Sequence, residues 1–496
     1  MTLTTMLLNI GLVAIILTLI VGFVFKKHNS WIMTFLQNFV GALFIFSGWV
    51  KIVDPLGTAY KMESYFTEFQ YTFEGTWMSF IAPIFPFFSN YSIWFSMTMI
   101  VFEIVLGIML IIGARPKLTA WLFFLLVAFF TVLTGFTYLT GYVPDSVNFF
   151  DFGNWVDYKA SNMKVTDCGC FGDFIKLEPR TSFFKDIALL FPALYFLFRH
   201  KDKHQLFSKG IRDIIIALST LGLIIFGFNN FKWNLPSKDF RPFKIGADVA
   251  SIKEAEQDAQ ANVKITDWRL KNEFTNEELV LPSASYYKQL QKYNKKNGWK
   301  VLEQISTKPT IKSTKISDFE IEDFEGNEVT DVYLEGEGYN FMIVSYKVYG
   351  IPISKSIEIQ DTTYTIDTVQ IAEITDSKIV KSIKNIQTVT KTIQDYKWDK
   401  DWLAEYVNKI KPLAEKAKLA GHKVSVVLGG VDVDMAIDLA KETGIDANYY
   451  HADDILLKTI VRSNPGVVLW KNGKIINKWH KNKLPNYSVI ETNNIK

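Results

Sequence analysis

Six long apolar stretches lie in the first 231 residues, and they limit the fold more than any other feature. A helix that crosses a bilayer needs roughly 20 apolar residues, and six candidates lie at about 5–25, 31–53, 93–113, 117–140, 183–199 and 211–231. The fifth is the weakest, because Lys185 and Asp186 stand at its start and Pro192 interrupts it. Residues 232–496 are rich in polar side chains. The sequence predicts an α-helical membrane bundle of six transmembrane helices, followed by a soluble domain.

The charged loops predict the orientation of these spans. The first span could instead be a cleaved signal peptide, but no basic residue precedes it and no small-residue cleavage site follows it. Cytoplasmic loops of membrane proteins are rich in Lys and Arg, and here the loops after spans one, three and five are basic while the others are acidic. Both termini and residues 232–496 are therefore expected outside the cytoplasm. For a Gram-negative cell this predicts a multi-pass inner-membrane protein with a periplasmic soluble domain.

The two cysteines of the chain lie together in the predicted external loop between spans four and five, in the run Asp167-Cys168-Gly169-Cys170-Phe171-Gly172. A disulfide between residues i and i+2 needs a bent backbone, which Gly169 permits. Strain would make such a bond easy to reduce, and an oxidising compartment permits it. An inert turn and a shared metal are the alternatives. Two sulfurs alone rarely complete a metal site, and no histidine lies in this loop.

Two charged residues lie within the predicted spans. Glu103 is near the middle of the third span, where a carboxylate costs a few kcal/mol in contact with lipid, so it is expected to face protein. It could relay protons or contact a polar head group, or it could form an interhelical hydrogen bond that locks the bundle. Lys51, near the end of the second span, could pair with Asp54 three residues later. Alternatively, it could extend to the membrane interface as a snorkelling lysine.

Three groups of residues within about 30–200 carry a resemblance to the DoxX family and its MauE-like relatives, small membrane bundles with a usual core of four helices. They are Ser47-Gly48 with Lys51 and Asp54-Pro55-Leu56-Gly57, Glu103 with Gly107 and Gly113, and the cysteine run with Phe184-Lys185-Asp186. Relatives have been linked to quinone-coupled sulfur oxidation and to disulfide formation in maturing proteins. Neither link fixes an activity for this chain. In a redox relay, Cys168 and Cys170 would cycle between dithiol and disulfide, since the two thiols are adjacent, external and in the same bundle as a buried carboxylate. Glu103 or Lys51 would then handle a proton or a quinone-like head group, with a quinone as the candidate cofactor.

The last part of the chain, about residues 316–485, resembles the thioredoxin fold. The pattern predicts a strand at 341–346, a helix at 402–420, a strand at 424–428, helices at 433–443 and 455–462, and a hairpin turning at Asn472-Gly473. Pro465 stands where that family usually has a cis proline before the closing hairpin. The family's active cysteines have no counterpart in the stretch after the first strand, Ser345-Tyr346-Lys347-Val348-Tyr349-Gly350. The resemblance therefore implies an α/β domain that binds a peptide at Asn464 and Pro465 without dithiol chemistry.

These patterns divide the chain into three parts. Residues 1–231 are predicted as the transmembrane domain, 232–315 as a linker with a small α+β region, and 316–496 as a degenerate thioredoxin-like domain. An insertion is expected within the last part, near 351–395.

Composition excludes some function classes and leaves two hypotheses. A net charge of +3 without a dense Lys/Arg stripe argues against binding nucleic acid, and no phosphate-binding loop or nucleophile elbow is apparent. His28, His200 and His204 lie in predicted cytoplasmic loops and are expected at the surface. The first hypothesis is a thiol redox relay in the membrane. The second is a non-catalytic scaffold or assembly factor. In both, the partners are the lipid bilayer and a periplasmic or envelope protein.

Overall fold

The computed structural model describes residues 2–165, 169–370 and 377–495. The chain divides into two compact units, Met1–Lys244 and Ile245–Lys496. Cys168 lies outside the described residues, so the predicted cysteine pair is represented by Cys170 alone.

The first unit is built of α-helices. They are α1 (Leu3–Leu19), α2 (Trp31–Val53), α3 (Pro55–Phe73), α4 (Ile84–Asn90), α5 (Ser92–Ile112), α6 (Pro116–Leu139), α7 (Pro179–Phe198) and α8 (Lys209–Phe228). Among the described residues, six helical stretches are long and apolar enough to cross a membrane: Leu3–Val24, Trp31–Val53, Ser92–Ile112, Pro116–Tyr142, Pro179–Phe198 and Lys209–Trp233. The prediction of six membrane helices is confirmed, with boundaries within a few residues of those expected.

Local capping explains why α2 begins and ends where the sequence predicts. The hydroxyl of Ser30 accepts a hydrogen bond from the backbone N–H of Met33, which satisfies a donor at the start of the helix. At the other end, the side chain of Asp54 accepts from the N–H of Gly57 and caps α3, with Pro55 at its first position. The chain therefore leaves one helix and enters the next within a single residue.

Small residues let α2 and α5 approach closely. A Cβ added at Gly41 would lie 2.8 Å from the carbonyl oxygen of Gly107, and one added at Gly107 would lie 2.7 Å from that of Gly41. Glycine at such crossings is a common device of membrane helices, because it brings two backbones into contact. The close crossing also brings α2 and α5 near enough for Lys51 to contact Glu103.

The weakest predicted span, α7, is a complete helix that contains Pro192. Its charged end faces protein, because the side chains of Lys185 and Asp186 are only 15% and 2% exposed. The two charged residues that weakened this span in the sequence therefore make contacts inside the bundle.

The loop between α7 and α8 is more buried than expected. His204, predicted at the surface, is fully buried: its Nε2 lies 2.8 Å from the Ile111 carbonyl oxygen, and its backbone N–H donates to Oε1 of Gln37 at 3.0 Å. The prediction for this histidine is wrong, because the end of α5 offers carbonyl groups that hold the loop inside. The neighbouring Lys203 is also buried, and burial lowers its pKa to about 7.

The described residues of the second unit form three sheets. Its helices are α9 (Val249–Ala261), α10 (Ser283–Lys288), α11 (Asp331–Leu334), α12 (Lys400–Glu405), α13 (Lys411–Leu419), α14 (Val433–Thr443), α15 (Asp454–Ile460) and α16 (Tyr487–Asn494). Its strands are β1 (Ile265–Asn272), β2 (Glu278–Pro282), β3 (Trp299–Ser306), β4 (Tyr339–Ser345), β5 (Gly350–Gln370), β6 (Ser377–Trp398), β7 (Lys423–Gly429), β8 (Asn448–Ala452), β9 (Gly466–Lys471) and β10 (Lys474–His480). The soluble domain is therefore rich in β-sheet.

The central sheet has five strands in the order β10-β9-β4-β7-β8. β4, β7 and β8 are parallel, while β9 runs antiparallel to β4 and to β10. β9 and β10 join at Asn472 and Gly473, both with positive φ, as a tight hairpin turn requires. The bond between Asn464 and Pro465, just before β9, is cis. The three-stranded sheet, in the order β2-β1-β3, is antiparallel.

β5 and β6 form a long antiparallel ribbon whose pairs run from Gly350 with Trp398 to Gln370 with Ser377. The described residues of the segment predicted as an insertion, near 351–395, lie in this ribbon. Among the described strands, β5 and β6 pair only with each other.

Candidate functional site

A small pocket lies inside the helical unit, enclosed by α2, α3, α5, α6, α7 and the turn at Gly169–Phe171. Its volume is about 60 Å³. Most of its wall is apolar, but ten lining residues carry polar or charged side chains or a thiol: Ser47, Lys51, Thr58, Lys61, Tyr65, Glu103, Thr134, Cys170, Lys185 and Asp186. A pocket that gathers so many such groups inside a membrane bundle is a candidate functional site.

The first ion pair of the pocket joins α2 to α5. Lys51 Nζ lies 2.5 Å from Oε2 of Glu103, and the two residues are only 6% and 3% exposed. Lys51 therefore does not reach an interface as a snorkelling lysine would. Glu103 faces protein as expected, and its partner on another helix is the cation that the sequence could not identify. Each charge compensates the other in a region where either alone would be costly.

The second ion pair lies on α7. Lys185 Nζ contacts Oδ1 of Asp186, and Oδ2 of Asp186 accepts a hydrogen bond of 3.0 Å from the hydroxyl of Thr134 on α6. Lys185 Nζ also lies 6.0 Å from the ring centroid of Phe171, the residue after Cys170. A hydrogen bond between helices thus fixes the carboxylate that holds this lysine.

The turn that carries Cys170 is fastened to α2. The hydroxyl of Ser47 donates to the carbonyl oxygen of Cys170 at 2.9 Å. Gly169 and Gly172 have φ values of +60° and +53°, which glycine adopts without strain, and the N–H of Gly172 donates to the carbonyl of Gly169. A side chain at Gly169 would also meet Lys61, whose Cγ would lie 3.2 Å from the new Cβ. These contacts hold Cys170 against the wall of the pocket.

The surroundings of the Cys170 thiol act on its charge in opposite directions. Burial raises the pKa of Cys170 above its usual value, Lys185 and, more weakly, Lys51 oppose this, and Asp186 adds to it. The Ser182 hydroxyl favours the thiolate as well, although it makes no hydrogen bond of normal geometry within the described residues. The thiol is therefore protonated at neutral pH, and it needs a base before it can react as a nucleophile.

The pocket does not fit a quinone ring. An apolar cavity of about 150 Å³ holds benzene, whereas this pocket offers about 60 Å³, which is room for a few waters. A larger space of about 450 Å³ lies between α5 and α8, but its lining contains neither a cysteine nor a charged residue. The groups available for chemistry in this pocket are therefore the side chains that line it.

The structure brings three of the predicted site residues together, since Lys51, Glu103 and Cys170 line one pocket. Cys168 lies outside the described residues. The sequence indicated Lys185 and Asp186 only as part of a family motif and not as site residues. The sequence nevertheless contained a signal for both residues, because charged side chains at the start of an otherwise apolar span need protein partners.

Asn464 and Pro465 lie in the second unit and form a separate candidate site. The side-chain amide of Asn464 donates to the backbone carbonyl of Lys347 at 2.7 Å, which holds the loop after β4 beside the cis peptide bond. Oδ1 of Asn464 has no hydrogen-bond partner within the described part of the chain. Pro465 is buried and leads directly into β9.

Comparison with known proteins identifies one matching family. The family described as methylamine utilisation protein MauE matches residues 29–145, which contain helices α2 to α6 and therefore Lys51 and Glu103. The match ends before Cys170, Lys185 and Asp186. No curated protein matches the chain, and no solved structure does. Residues 29–145 are thus a MauE-like segment within a multi-pass membrane protein.

Proposed function

We propose that this MauE-like membrane protein exchanges disulfides with another protein of the cell envelope, through Cys168 and Cys170. One observation carries the proposal. The thiol of Cys170 lines the same enclosed pocket as two buried ion pairs, Lys51 with Glu103 and Lys185 with Asp186. Buried charge of this kind is costly and is typical of sites that move protons or bind reacting groups.

The exchange balances without a bound cofactor. A dithiol of the substrate protein loses two S–H bonds and gains one S–S bond. Its two electrons and two protons reduce the Cys168–Cys170 disulfide to the dithiol. A second envelope protein restores the disulfide by the reverse exchange, in which its own disulfide becomes a dithiol. The chain thus passes oxidising equivalents between two protein partners.

The role of Lys51 and Glu103 in this exchange is to take up a proton. Each of the two buried ion pairs is balanced while Cys170 is protonated. A thiolate adds one negative charge, which a low-dielectric pocket opposes. If the Lys51–Glu103 pair accepts the proton from Cys170, the total charge of the pocket does not change. The pair then returns the proton when Cys170 becomes a leaving group.

Charge in the loops supports the location proposed for this chemistry. Basic residues concentrate in the loops after the first, third and fifth spans. The positive-inside rule then assigns these loops to the cytoplasm, and both termini, the cysteine loop and the second unit to the outside. In a Gram-negative cell, the protein would lie in the inner membrane with its sheet-rich domain in the periplasm, where disulfides form.

Three features support a thioredoxin-like role for the second unit. The order of strands in its central sheet, the cis bond before Pro465 and the closing hairpin are those expected for such a fold. The loop after β4 carries no cysteine. This part of the chain would therefore hold an extended segment of a partner protein at Asn464 and Pro465, while the membrane unit supplies the thiols.

Replacing Cys168 and Cys170 by serine together is expected to abolish the exchange. The measurement is the thiol redox state of envelope proteins in cells that carry the variant, determined after acid quenching. The single variants Cys168→Ser and Cys170→Ser leave one thiol each, and one of them should accumulate a mixed disulfide with the partner. Ser161→Ala, an exposed serine in the same loop, is the control and should behave as the unaltered protein. Full function in the double variant, with partner thiols unchanged, would refute the exchange.

A scaffold without redox activity is the second candidate function. The absence of cysteines from the loop after β4 favours it, because a domain kept without its reactive thiols can still bind. A photo-crosslinking residue at the exposed Lys347, beside Asn464, is expected to capture the partner. The same residue at Leu419, which is 87% exposed in the same unit, should not. Equal capture at both positions, together with a normal phenotype after truncation at residue 235, would contradict both a binding site at Asn464 and a scaffold.

A further inference from the structure

The contact between Lys185 and Asp186 is unusual for neighbours on a helix. Successive helical residues point about 100° apart, because one turn takes 3.6 residues. Here the ammonium group of Lys185 nevertheless contacts the carboxylate of Asp186, whose other oxygen is held by Thr134. The lysine side chain is drawn towards the pocket, where its nitrogen lies over the ring of Phe171.

We propose that Lys185 is the charge partner that allows the Cys170 thiol to ionise, and that Thr134 and Asp186 are the positioning residues that hold it there. The proposal deepens the proposed function and rests on it for its biological meaning. It assigns to α7 a role distinct from that of the Lys51–Glu103 pair. Lys185 stabilises the sulfur anion, and Lys51 with Glu103 takes the proton.

Charges from four helices line the pocket around Cys170. Lys51 comes from α2, Lys61 from α3, Glu103 from α5, and Lys185 with Asp186 from α7. Among the described lining residues, α6 contributes the uncharged Thr134 as its polar group.

The effects of these groups on the thiol differ in size. Lys185 lowers the pKa of Cys170 more than any other group, and Asp186 acts next in strength and in the opposite direction. Lys51 follows and acts in the same direction as Lys185. The lysine on α7 is therefore the charge whose removal should change the thiol most.

Alkylation of Cys170 tests this directly, in the full-length protein in which Cys168 has been replaced by serine so that a single thiol remains. The rate of reaction with iodoacetamide is measured from pH 6 to pH 11, and it follows the fraction of thiolate. In the Lys185→Met variant the profile should move to higher pH, with a rate about tenfold lower near pH 8, which is one unit of pKa. Lys185→Arg keeps the charge and should keep most of the rate. Lys176→Met, which removes an exposed lysine from the same loop, should change nothing.

Two further variants separate an electrostatic effect from a disturbed fold. The double variant with Lys185→Met and Asp186→Asn contains no unpaired carboxylate. Its rate of Cys170 alkylation should lie between those of Lys185→Met and the unaltered protein, because Asp186 opposes formation of the thiolate. Thr134→Val removes the hydrogen bond to Asp186 without changing any charge, and it should lower the rate by less than the roughly tenfold expected for Lys185→Met because Lys185 keeps its charge. This effect should vanish when Lys185 is already methionine, because Thr134 acts through that lysine.

Other outcomes would overturn the assignment. An unchanged profile in Lys185→Met would show that Lys185 is not the charge partner of Cys170. An effect of Thr134→Val that persists without Lys185 would show that Thr134 does not act by positioning this lysine. The reagent is a small molecule, so the result does not depend on any protein partner. If alkylation follows the expected order while the double cysteine variant remains fully functional in cells, the inference stands and the proposed exchange fails. The reverse combination rejects the inference alone.

Discussion

Replacing Lys51 by methionine is expected to destabilise the helical unit by about 3–5 kcal/mol, because Glu103 would be left buried without a partner. Glu103 is only 3% exposed, and its Oε2 lies 2.5 Å from Nζ of Lys51. The measurement is the free energy of unfolding, or the melting temperature, of the full-length protein in detergent.

A second substitution should reverse most of this loss. With Lys51→Met and Glu103→Leu combined, no charge remains unpaired, and apolar replacement of a buried ion pair is often neutral for stability. The double variant should therefore be folded but unable to exchange disulfides, which would separate the functional role of the pair from its structural one. Arg115→Met is the matched control, because its pair with Asp213 is exposed and should contribute less than about 1 kcal/mol. A double variant as unstable as Lys51→Met alone would contradict this explanation.

Replacing Trp470 by alanine is expected to destabilise the sheet-rich unit by about 3–5 kcal/mol, the usual cost of removing a large buried aromatic side chain. Trp470 is 1% exposed in β9, and its ring stacks on Phe319 with centroids 5.4 Å apart and also packs against Tyr333. The indole thus packs the segment before β4, which contains Phe319 and Tyr333, against the central sheet. Pulse proteolysis of the full chain in urea would report the loss.

Two other substitutions test the cause. Trp470→Phe keeps the ring stacking and removes an indole N–H that has no hydrogen-bond partner within the described residues, so its loss should be well under that of alanine. Leu419→Ala changes a side chain that is 87% exposed and should have little effect. Equal losses for the phenylalanine and alanine variants would show that stacking on Phe319 is not what holds the segment.

The membrane helices could be predicted from the sequence because each boundary has a local cause. The second span was expected at 31–53 and is Trp31–Val53, since Ser30 caps its start and Asp54 with Pro55 ends it. In the second unit, the helix expected at 433–443 is α14 with the same bounds, because Asp432 caps it and Gly444 follows it in the left-handed conformation. Such signals act over a few residues and are visible in the sequence alone.

The partners within the site could not be predicted in the same way. Asp54 is three residues from Lys51 and was the natural candidate, but the observed partner, Glu103, lies 52 residues away on another helix. Its position depends on the close crossing of α2 and α5 at Gly41 and Gly107. His204 was expected at the surface for a related reason. A polar residue in a basic loop gives no sign that Gln37 and a distant helix end will enclose it.

The redox state of Cys168 and Cys170 in intact cells tests the central claim most directly. Cells are treated with a membrane-impermeant reductant or left untreated, quenched with acid, and labelled with a maleimide of high mass that counts free thiols. A disulfide that the external reductant opens in intact cells, giving two newly labelled thiols after the quench, is the expected result. Two thiols that are always reduced, or a disulfide that the impermeant reductant opens only after the membrane is broken, would contradict the proposed chemistry or the proposed location, respectively.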